Sequence, residues 1–223
     1  MKPANTPPEV FRLGRIPDPW SWPDWAYAEA DGTFGNRYDD PRGTYRVLYA
    51  STQRRGTFVE CLAYFRPDIE VVAELNEITG EDSDEEPPGA GVVPTEWITR
   101  RCLGRATLAG DYADIGHHES IGELRAALAA RAVHHALADL DAATIRLSAP
   151  RGFTQDVSRY VFDQTADGHR RWNGIAYLSR HGDDIQNWAI FEPAAPDPVD
   201  AEDVVIDDPD LIAALALHNL RPE

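Results

Sequence analysis

The sequence predicts a mixed α/β fold. Short runs of strand length alternate with segments of helical periodicity, and they do so without the regular βαβ repeat of a doubly wound sheet. The strand-like runs are 10–15, 45–50, 97–106, 174–178 and 187–191, and the helical ones are 52–65, 120–137, 154–164 and 211–220. At 223 residues, 43% hydrophobic and carrying six Trp, eight Tyr and seven Phe, the chain has material for one sizeable core.

The elements can be justified in order. Residues 1–9 are polar and proline-rich and read as a loose arm ahead of the first strand. Residues 17–25 hold three prolines and three tryptophans, the pattern of an irregular loop held down by aromatic burial. In the 52–65 helix, Phe58, Leu62 and Phe65 share a face, Pro67 stops the helix and Glu60 lies off that face. The acidic run at about 80–91, with Glu81, Asp82, Asp84, Glu85 and Glu86 before two prolines, reads as a mobile surface loop. Ser120-Ile-Gly-Glu123 has the form of a capping box, and Leu124, Leu128, Val133 and Leu137 recur behind it at helical spacing. A turn at 181–184 joins the last two strands. From Pro193 a proline-rich acidic link leads into a short amphipathic helix. The organisation is therefore an arm (1–9), one domain (10–193) and a link with a terminal helix (194–223).

Composition narrows the function. A net charge of −17 argues against direct nucleic-acid binding, which draws on a surplus of Lys and Arg, and fits solubility or a basic partner. No apolar run reaches the roughly 20 residues needed to span a bilayer, and the first residues lack the apolar core of a signal peptide, so a soluble cytoplasmic protein without membrane contact is expected. Two cysteines, Cys61 and Cys102, suit small buried thiols rather than a disulfide framework or thiolate metal site. His117 and His118 with Asp111, Asp114 and Glu119 have metal-ligand chemistry, but adjacent histidines on an irregular segment seldom point the same way, and no metal is expected. In His134-His135, one imidazole should face solvent and the other pack. There is no Gly-x-Gly-x-x-Gly fingerprint, no Walker loop and no Gly-x-Ser-x-Gly elbow.

The chemistry concentrates between Tyr49 and Glu60, where a strand delivers a tyrosine and the following helix a glutamate toward one cleft. Arg12 and Arg37 each stand beside an aromatic residue near a strand edge and can present several N–H donors to phosphate oxygens. A cationic fork, a phenol and a carboxylate suit an anionic, ring-bearing ligand such as a dinucleotide. Taken singly, each residue has a blander reading: surface salt bridges for the arginines, a half-buried strand tyrosine for Tyr49, a solvated helix charge for Glu60.

The words Phe11-Arg12, Gly35-Asn36-Arg37-Tyr38, Leu48-Tyr49-Ala50-Ser51 and Glu60, followed by Phe153-Thr154-Gln155, Asn173-Gly-Ile-Ala-Tyr-Leu-Ser-Arg180 and Trp188-Ala-Ile-Phe-Glu192, together resemble the RES domain family. The resemblance implies a compact fold related to ADP-ribosyltransferases, with a central, largely antiparallel split sheet flanked by helices. It implies a bacterial toxin that binds NAD+ and breaks its nicotinamide–ribose bond, with phosphate, water or a protein side chain as acceptor. It implies Glu60 as catalytic carboxylate with Arg12 and Tyr49 beside it, and Arg37, Tyr38, Ser51, Thr154, Gln155 and Ser179 at the ligand. Thr154 and Ser179 are both candidates for the family's serine, Thr154 because a hydroxyl at a helix N-terminus can help hold an anion. A cognate antitoxin of the Xre type, with a helix-turn-helix DNA-binding part, and a protein substrate are the implied partners; the oligomeric state stays open.

Two departures qualify the match. The chain has Arg37-Tyr38-Asp39-Asp40-Pro41 where relatives often show Arg-Trp-Asn-Pro, and its 111–149 segment is larger than in small relatives. The alternatives are a non-catalytic interaction protein on the same fold and, further off, a metal-dependent hydrolase built around 111–119.

Overall fold

Strands form where apolar side chains alternate between two covered faces. In β2 (Val47–Ser51) and β9 (Gln186–Phe191), Val47, Ala189 and Phe191 enter one core while Leu48, Ala50, Trp188 and Ile190 enter another, so both strands are buried on both sides. The structure, a computed structural model, describes residues 1–78, 91–147 and 149–223. Its other elements are β1 (Val10–Arg15), α1 (Arg54–Leu62), α2 (Ile69–Ile78), β3 (Gly91–Val93), α3 (Thr95–Thr99), β4 (Arg101–Thr107), β5 (Tyr112–Asp114), α4 (His118–His134), α5 (Ala142–Arg146), α6 (Arg151–Phe162), β6 (Thr165–Ala166), β7 (His169–Arg170), β8 (Gly174–Leu178), β10 (Asp197–Asp203), α7 (Pro209–Leu217) and β11 (Leu220–Pro222). The acidic run at 80–91 lies outside the described residues but for Gly91, which opens β3.

The expected mixed, largely antiparallel architecture is present. Seven strands run in the order β10-β4-β1-β2-β9-β8-β5, with β5 and β8 parallel and every other neighbour pair antiparallel. β1 and β2 pair at one position alone, Phe11 with Ser51, so the sheet is nearly divided there into β10-β4-β1 and β2-β9-β8-β5. Over the second half, α4, α5 and α6 contribute Leu124, Leu128, Ile145, Phe153, Val157 and Val161 to a core shared with Ile175, Ala189 and Phe191. Over the first half, α1 and α7 bury Phe58, Val59, Leu62, Leu211 and Leu215 against Leu13 and Leu103. The opposite face is covered by the proline–tryptophan loop. Trp20 is buried there with Val10, Leu48 and Ile190, and Gly14 permits the loop's approach, since a Cβ would lie 2.3 Å from Pro19 Cα. Trp25 stays on the surface, stacked near Phe34 with a 5.2 Å centroid separation.

Several expectations need correction. The 1–9 segment is tied down: Ala4 N–H donates to the Tyr112 carbonyl, Asp114 N–H to the Lys2 carbonyl, and Pro3 bridges Ala113. The capping box is not formed. His117 is the N-cap of α4 and accepts from Glu119 N–H, while the Ser120 hydroxyl sits one turn inside, accepting from Lys2 N–H. Val133, expected on the apolar face, is 75% exposed. Residues 97–100 belong to α3 and the turn after it, not to the strand, because Pro94 opens a helical turn that ends at Arg100. The 194–223 tail is integral: β10 pairs along β4, β11 pairs with β3, and α7 packs on α1. His134 is exposed and His135 packs with its Nε2 3.0 Å from Asp156, as the helical pattern predicts. Cys102 is buried and Cys61 half-buried, both as free thiols.

An ion cluster fastens α7 to α1. Arg54 Nη1 donates to Asp208 Oδ1 and Asp210 Oδ2, both at 2.9 Å, while Asp208 also caps α7 by accepting from Asp210 and Leu211 N–H. The bond from Arg54, joined by those backbone bonds, holds the Asp208 carboxyl below its ordinary range against the opposing effect of burial. A carboxyl lowered on folding contributes stability above its unfolded value, and that contribution fades as pH falls. Arg54→Ala is therefore expected to lower unfolding free energy by about 2 kcal/mol at neutral pH, less than for a fully enclosed pair because the arginine is part-exposed. The gap between wild type and variant should begin to narrow as pH drops below about 4 and go on narrowing through the lower folded value. Urea unfolding of both proteins at pH 7 and pH 3.5 checks this; a gap independent of pH would remove Asp208 from the explanation.

Candidate active site

The site begins where β2 runs straight into α1. Gly56 lets the helix press on the strand end, since a Cβ there would lie 2.4 Å from Ser51 Oγ and 2.9 Å from Ile185 Cγ2. That contact brings Thr57, Glu60 and Cys61 of the helix beside Tyr49 and Ser51 of the strand. With Arg12, Tyr177 and Asn187 they line a cavity of about 70 Å³ at the parting of β1 and β2. A second cavity, about 330 Å³, is bounded by Asp114, His117, Ile145, Arg146, Gln186 and again Tyr177. The Tyr177 side chain, on β8, is thus a wall common to both.

Of the nine residues expected at the site, Arg12, Tyr49, Ser51 and Glu60 line the smaller cavity. Arg12 lies across the gap between the half-sheets, its Nε donating to the Pro19 carbonyl at 2.7 Å and its Nη1 to the Tyr49 carbonyl at 2.8 Å. Burial lowers its pKa, opposed by Cys61, Tyr49 and Asp18. Tyr49 directs its hydroxyl away from any ligand role: Oη donates to Asp39 Oδ1 at 2.8 Å and accepts from Tyr38 N–H at 2.9 Å. Ser51 Oγ donates to the Gln186 carbonyl at 3.2 Å. Glu60 is half-buried, and its Oε1 accepts from Asn187 Nδ2 at 2.7 Å.

The other five are placed differently. Arg37 is neither a surface ion pair nor an open fork. Its guanidinium lies 5.0 Å from the ring centroids of both Tyr38 and Tyr177 and donates to the Ile145 carbonyl beside the larger cavity. Tyr38 is fully buried with its ring against Tyr177, centroids 4.7 Å apart. Gln155 Nε2 donates to the Asn36 carbonyl, and Arg151 from the same helix to Gly35, so α6 holds the loop that carries Arg37. Thr154 does not open its helix. α6 starts three residues earlier, and the threonine hydroxyl is buried and donates back to the Arg151 carbonyl. Ser179 is buried too, its Oγ accepting from His181 N–H at the turn after β8. Neither hydroxyl lines either cavity.

Tyrosines, a cysteine and two histidines feel the Glu60 charge together with that of several arginines. Burial, reinforced by the Glu60 charge, drives the Tyr177 phenol well above its ordinary range, and burial against the pull of Arg37 pushes Tyr38 up to about 12. Cys61 is likewise raised by burial, with Arg12 opposing. Burial lowers His181 and His218, whose rings lie 5.3 Å apart, so both imidazoles are neutral at pH 7 despite the Glu60 charge. Four buried side-chain atoms among the described residues have no hydrogen-bond partner within the protein. Three of them, Arg37 Nε, Tyr38 Oη and Asn187 Oδ1, belong to residues packed around Tyr177 and Glu60; the fourth is Trp20 Nε1. Buried polar atoms are ordinarily paired, so their gathering at one place marks a surface shaped for something other than packing.

Sequence reasoning passed over Tyr177, Asn187 and Asp39 as site residues. A signal existed for Asn187, a polar residue inside an otherwise apolar buried strand, and for Asp39, one of the two acids by which Arg37-Tyr38-Asp39-Asp40-Pro41 departs from the family word. The histidine reading also changes. The rings of His117 and His118 lie 4.2 Å apart, and ligand atoms of His117, His118 and Glu119 fall within 4.8 Å of one another at the edge of the larger cavity. The His117 Nδ1 is engaged in capping α4, and two of the three residues are exposed.

No protein-family model and no curated protein matches the chain. Among solved structures it is similar to the crystal structure of the M. tuberculosis MbcT-MbcA toxin-antitoxin complex, at 12% identity and a TM-score of 0.47, over 94% of this chain and 88% of that one. A likeness at that level carries no chemistry from one chain to the other. Among the described residues no helix is long and apolar enough to cross a membrane.

The Tyr49 hydroxyl is the fastening between sheet and loop. Tyr49→Phe removes one partner from the buried Asp39 carboxylate and one from Tyr38 N–H, and it is expected to lower stability by about 1–2 kcal/mol. Chemical denaturation measures the change. An unchanged midpoint would mean that Asn36, which donates to Asp39 through both its backbone and its side chain, holds the loop alone.

Proposed function

We propose that this protein binds NAD+ in the cleft formed by the two cavities and cleaves its nicotinamide–ribose bond, with Glu60 as the catalytic carboxylate. The observation that carries the reading is the convergence of Glu60, Arg12, Tyr49, Tyr177 and Asn187 on one cavity where the sheet divides. Breaking the bond develops oxocarbenium charge on the ribose, which a carboxylate in poorly solvated surroundings stabilises. Phenols with raised pKa values pack around Glu60, Arg12 lines the same cavity, and the tyrosine rings offer faces for a flat heterocycle. The larger cavity is of the size small-molecule sites occupy, and Arg37 beside it brings positive charge toward a pyrophosphate. Water, phosphate or a protein side chain would take the ADP-ribosyl group. None of these steps draws on a metal.

The same reading makes the protein a cytoplasmic toxin of the RES type, held in check by a cognate Xre-type antitoxin. Such an antitoxin would cover the cleft and supply the basic, DNA-binding surface that a chain of net charge −17 does not have.

The test is NAD+ consumption by the purified protein, with nicotinamide and the adenine-containing product identified by mass spectrometry, with and without phosphate and with and without chelator. Glu60→Gln should lower the rate by about a thousandfold or more while leaving the fold intact, and phosphate dependence would identify the acceptor. NAD+ left intact by the wild type under every condition would sink the enzyme assignment in favour of a non-catalytic interaction protein. Activity lost to chelator would instead move the chemistry to His117, His118 and Glu119.

A further inference from the structure

We infer that Asn187 is the positioning residue for Glu60 and that its carbonyl oxygen accepts a hydrogen bond from a neutral N–H or O–H donor on the ligand. The inference rests on the proposed function and adds to it the group that sets the carboxylate and part of the ligand's identity.

Asn187 sits in the middle of the sheet, where its neighbours across the strands are Ser51 on β2 and Tyr177 on β8. It is 2% exposed and lines the smaller cavity. Shape alone does not distinguish the two ends of a carboxamide, but here chemistry does. The atom 2.7 Å from Glu60 Oε1 must be the nitrogen, because a carboxylate offers no proton to an amide oxygen. The oxygen is thereby turned to the other side, where it is buried and has no partner within the protein. An asparagine kept for structure would have both ends satisfied, as buried amides generally do. This one spends its donor on the catalytic carboxylate and presents its acceptor unpaired at the same cavity wall.

A ligand group that completes the pair must donate a proton without carrying a negative charge. On NAD+ the neutral donors beside the scissile bond are the carboxamide N–H of nicotinamide and the hydroxyls of the adjoining ribose. Replacing the carboxamide by a carboxylate removes the first donor and keeps the hydroxyls.

The experiment measures kcat and KM of the full-length protein for NAD+ and for nicotinic acid adenine dinucleotide across pH, in wild type, Asn187→Leu and Asn187→Asp. Asn187→Leu is close to isosteric and adds no buried polar atom, so the fold should persist, checked by circular dichroism and melting temperature. Its kcat should fall about a hundredfold from the unheld carboxylate and its KM should rise from the lost ligand contact. Asn187→Asp sets a second carboxylate beside Glu60. The pair then retains a proton to higher pH, and the acid limb of the pH–rate profile should move upward, which reports that position 187 faces the carboxylate that limits the rate. If Asn187→Leu also erases a wild-type preference for NAD+ over the acid analogue, the donor is the carboxamide; if the preference survives alongside the kinetic losses, it is the ribose hydroxyl.

Folded variants with kcat/KM within threefold of wild type and unmoved pH profiles would overturn the inference while leaving NAD+ cleavage standing. A wild type that neither binds nor consumes NAD+ is a different failure: it removes the functional reading, and this inference with it.

Discussion

The structure depends on a gap. Six neighbour pairs of strands make up the large sheet, and five share three or more paired positions, but β1 and β2 share one. Beyond Phe11 and Ser51, the Tyr49 carbonyl is met by the Arg12 guanidinium instead of a backbone N–H. A ladder bond has been exchanged for a charged side chain that reaches from one half-sheet to the other and on to Pro19 in the covering loop. That exchange needs a residue with several donors and a charge that survives burial, and lysine would fail on the second count, since its pKa falls readily when it is buried. The consequence is a cavity inside a sheet, lined by strand residues whose side chains would otherwise pack on one another. Everything assigned to the site, from Glu60 on the following helix to Asn187 two strands away, takes its place because the sheet opens there.

The second constraint is the loop that carries Arg37 and Tyr38, which has no secondary structure of its own and is held by a buried polar network and by the packing of Tyr38 in the core. Asp39 bonds Tyr49 and Asn36, Ser158 donates to the Tyr38 carbonyl while bonded to the Tyr45 hydroxyl, and Gln155 and Arg151 hold the carbonyls of Asn36 and Gly35. The inner face of α6 is accordingly polar at Ser158 and apolar at Phe153, Val157 and Val161. Buried networks of this kind fix a conformation only when each member is paired, and the exceptions here, Tyr38 Oη and Arg37 Nε, both sit against Tyr177 at the cleft. The loop is thus rigid where it faces the core and incomplete where it faces the cavity.

How much of this the sequence disclosed follows from range. Glu60 and Tyr49 were legible because strand and helix are adjacent and eleven positions of alternating and helical period determine where both side chains point. The edge strand β10 was not legible: its seven residues are all exposed and four are acidic, so neither alternation nor β-propensity marks it, and only pairing with β4 makes it a strand. The start of α6 was misplaced by three residues because Pro150 and Arg151 give no side-chain cap, and with that error Thr154 moved from the helix mouth to a buried back-bonded position. The capping box at Ser120 failed for a related reason. His117 supplied the cap one turn earlier, and Ser120 was taken by Lys2, a contact 118 residues distant in sequence. What the sequence could not express is any contact decided by a distant partner, and Asn187 is the sharpest instance: its neighbours predict a strand, and only Glu60 on α1 gives the amide nitrogen its partner.

The distribution of charge closes the argument about ligand and partner together. A surface with so large an acidic excess lowers the approach rate of an anionic dinucleotide and raises that of a basic protein. The cationic groups of the site act only at close range, because Arg12 lies between half-sheets and Arg37 lies against two rings. Under the proposed function, selectivity for the small ligand would come from fit inside the cleft and selectivity for a protein partner from the outside, and the two would not compete for the same charges. The acidic tail serves both. Through Arg54, Asp208 and Asp210 it fastens α7 to the start of α1, and through His218, whose Nε2 lies 2.8 Å from the Val59 carbonyl, it grips the residue before Glu60. A ring kept neutral by burial holds that bond by donating its one proton to the carbonyl. The position of Glu60 is thus set from two sides, by an amide from the sheet and by an imidazole from the tail, and neither holds it unless the chain is folded through α7.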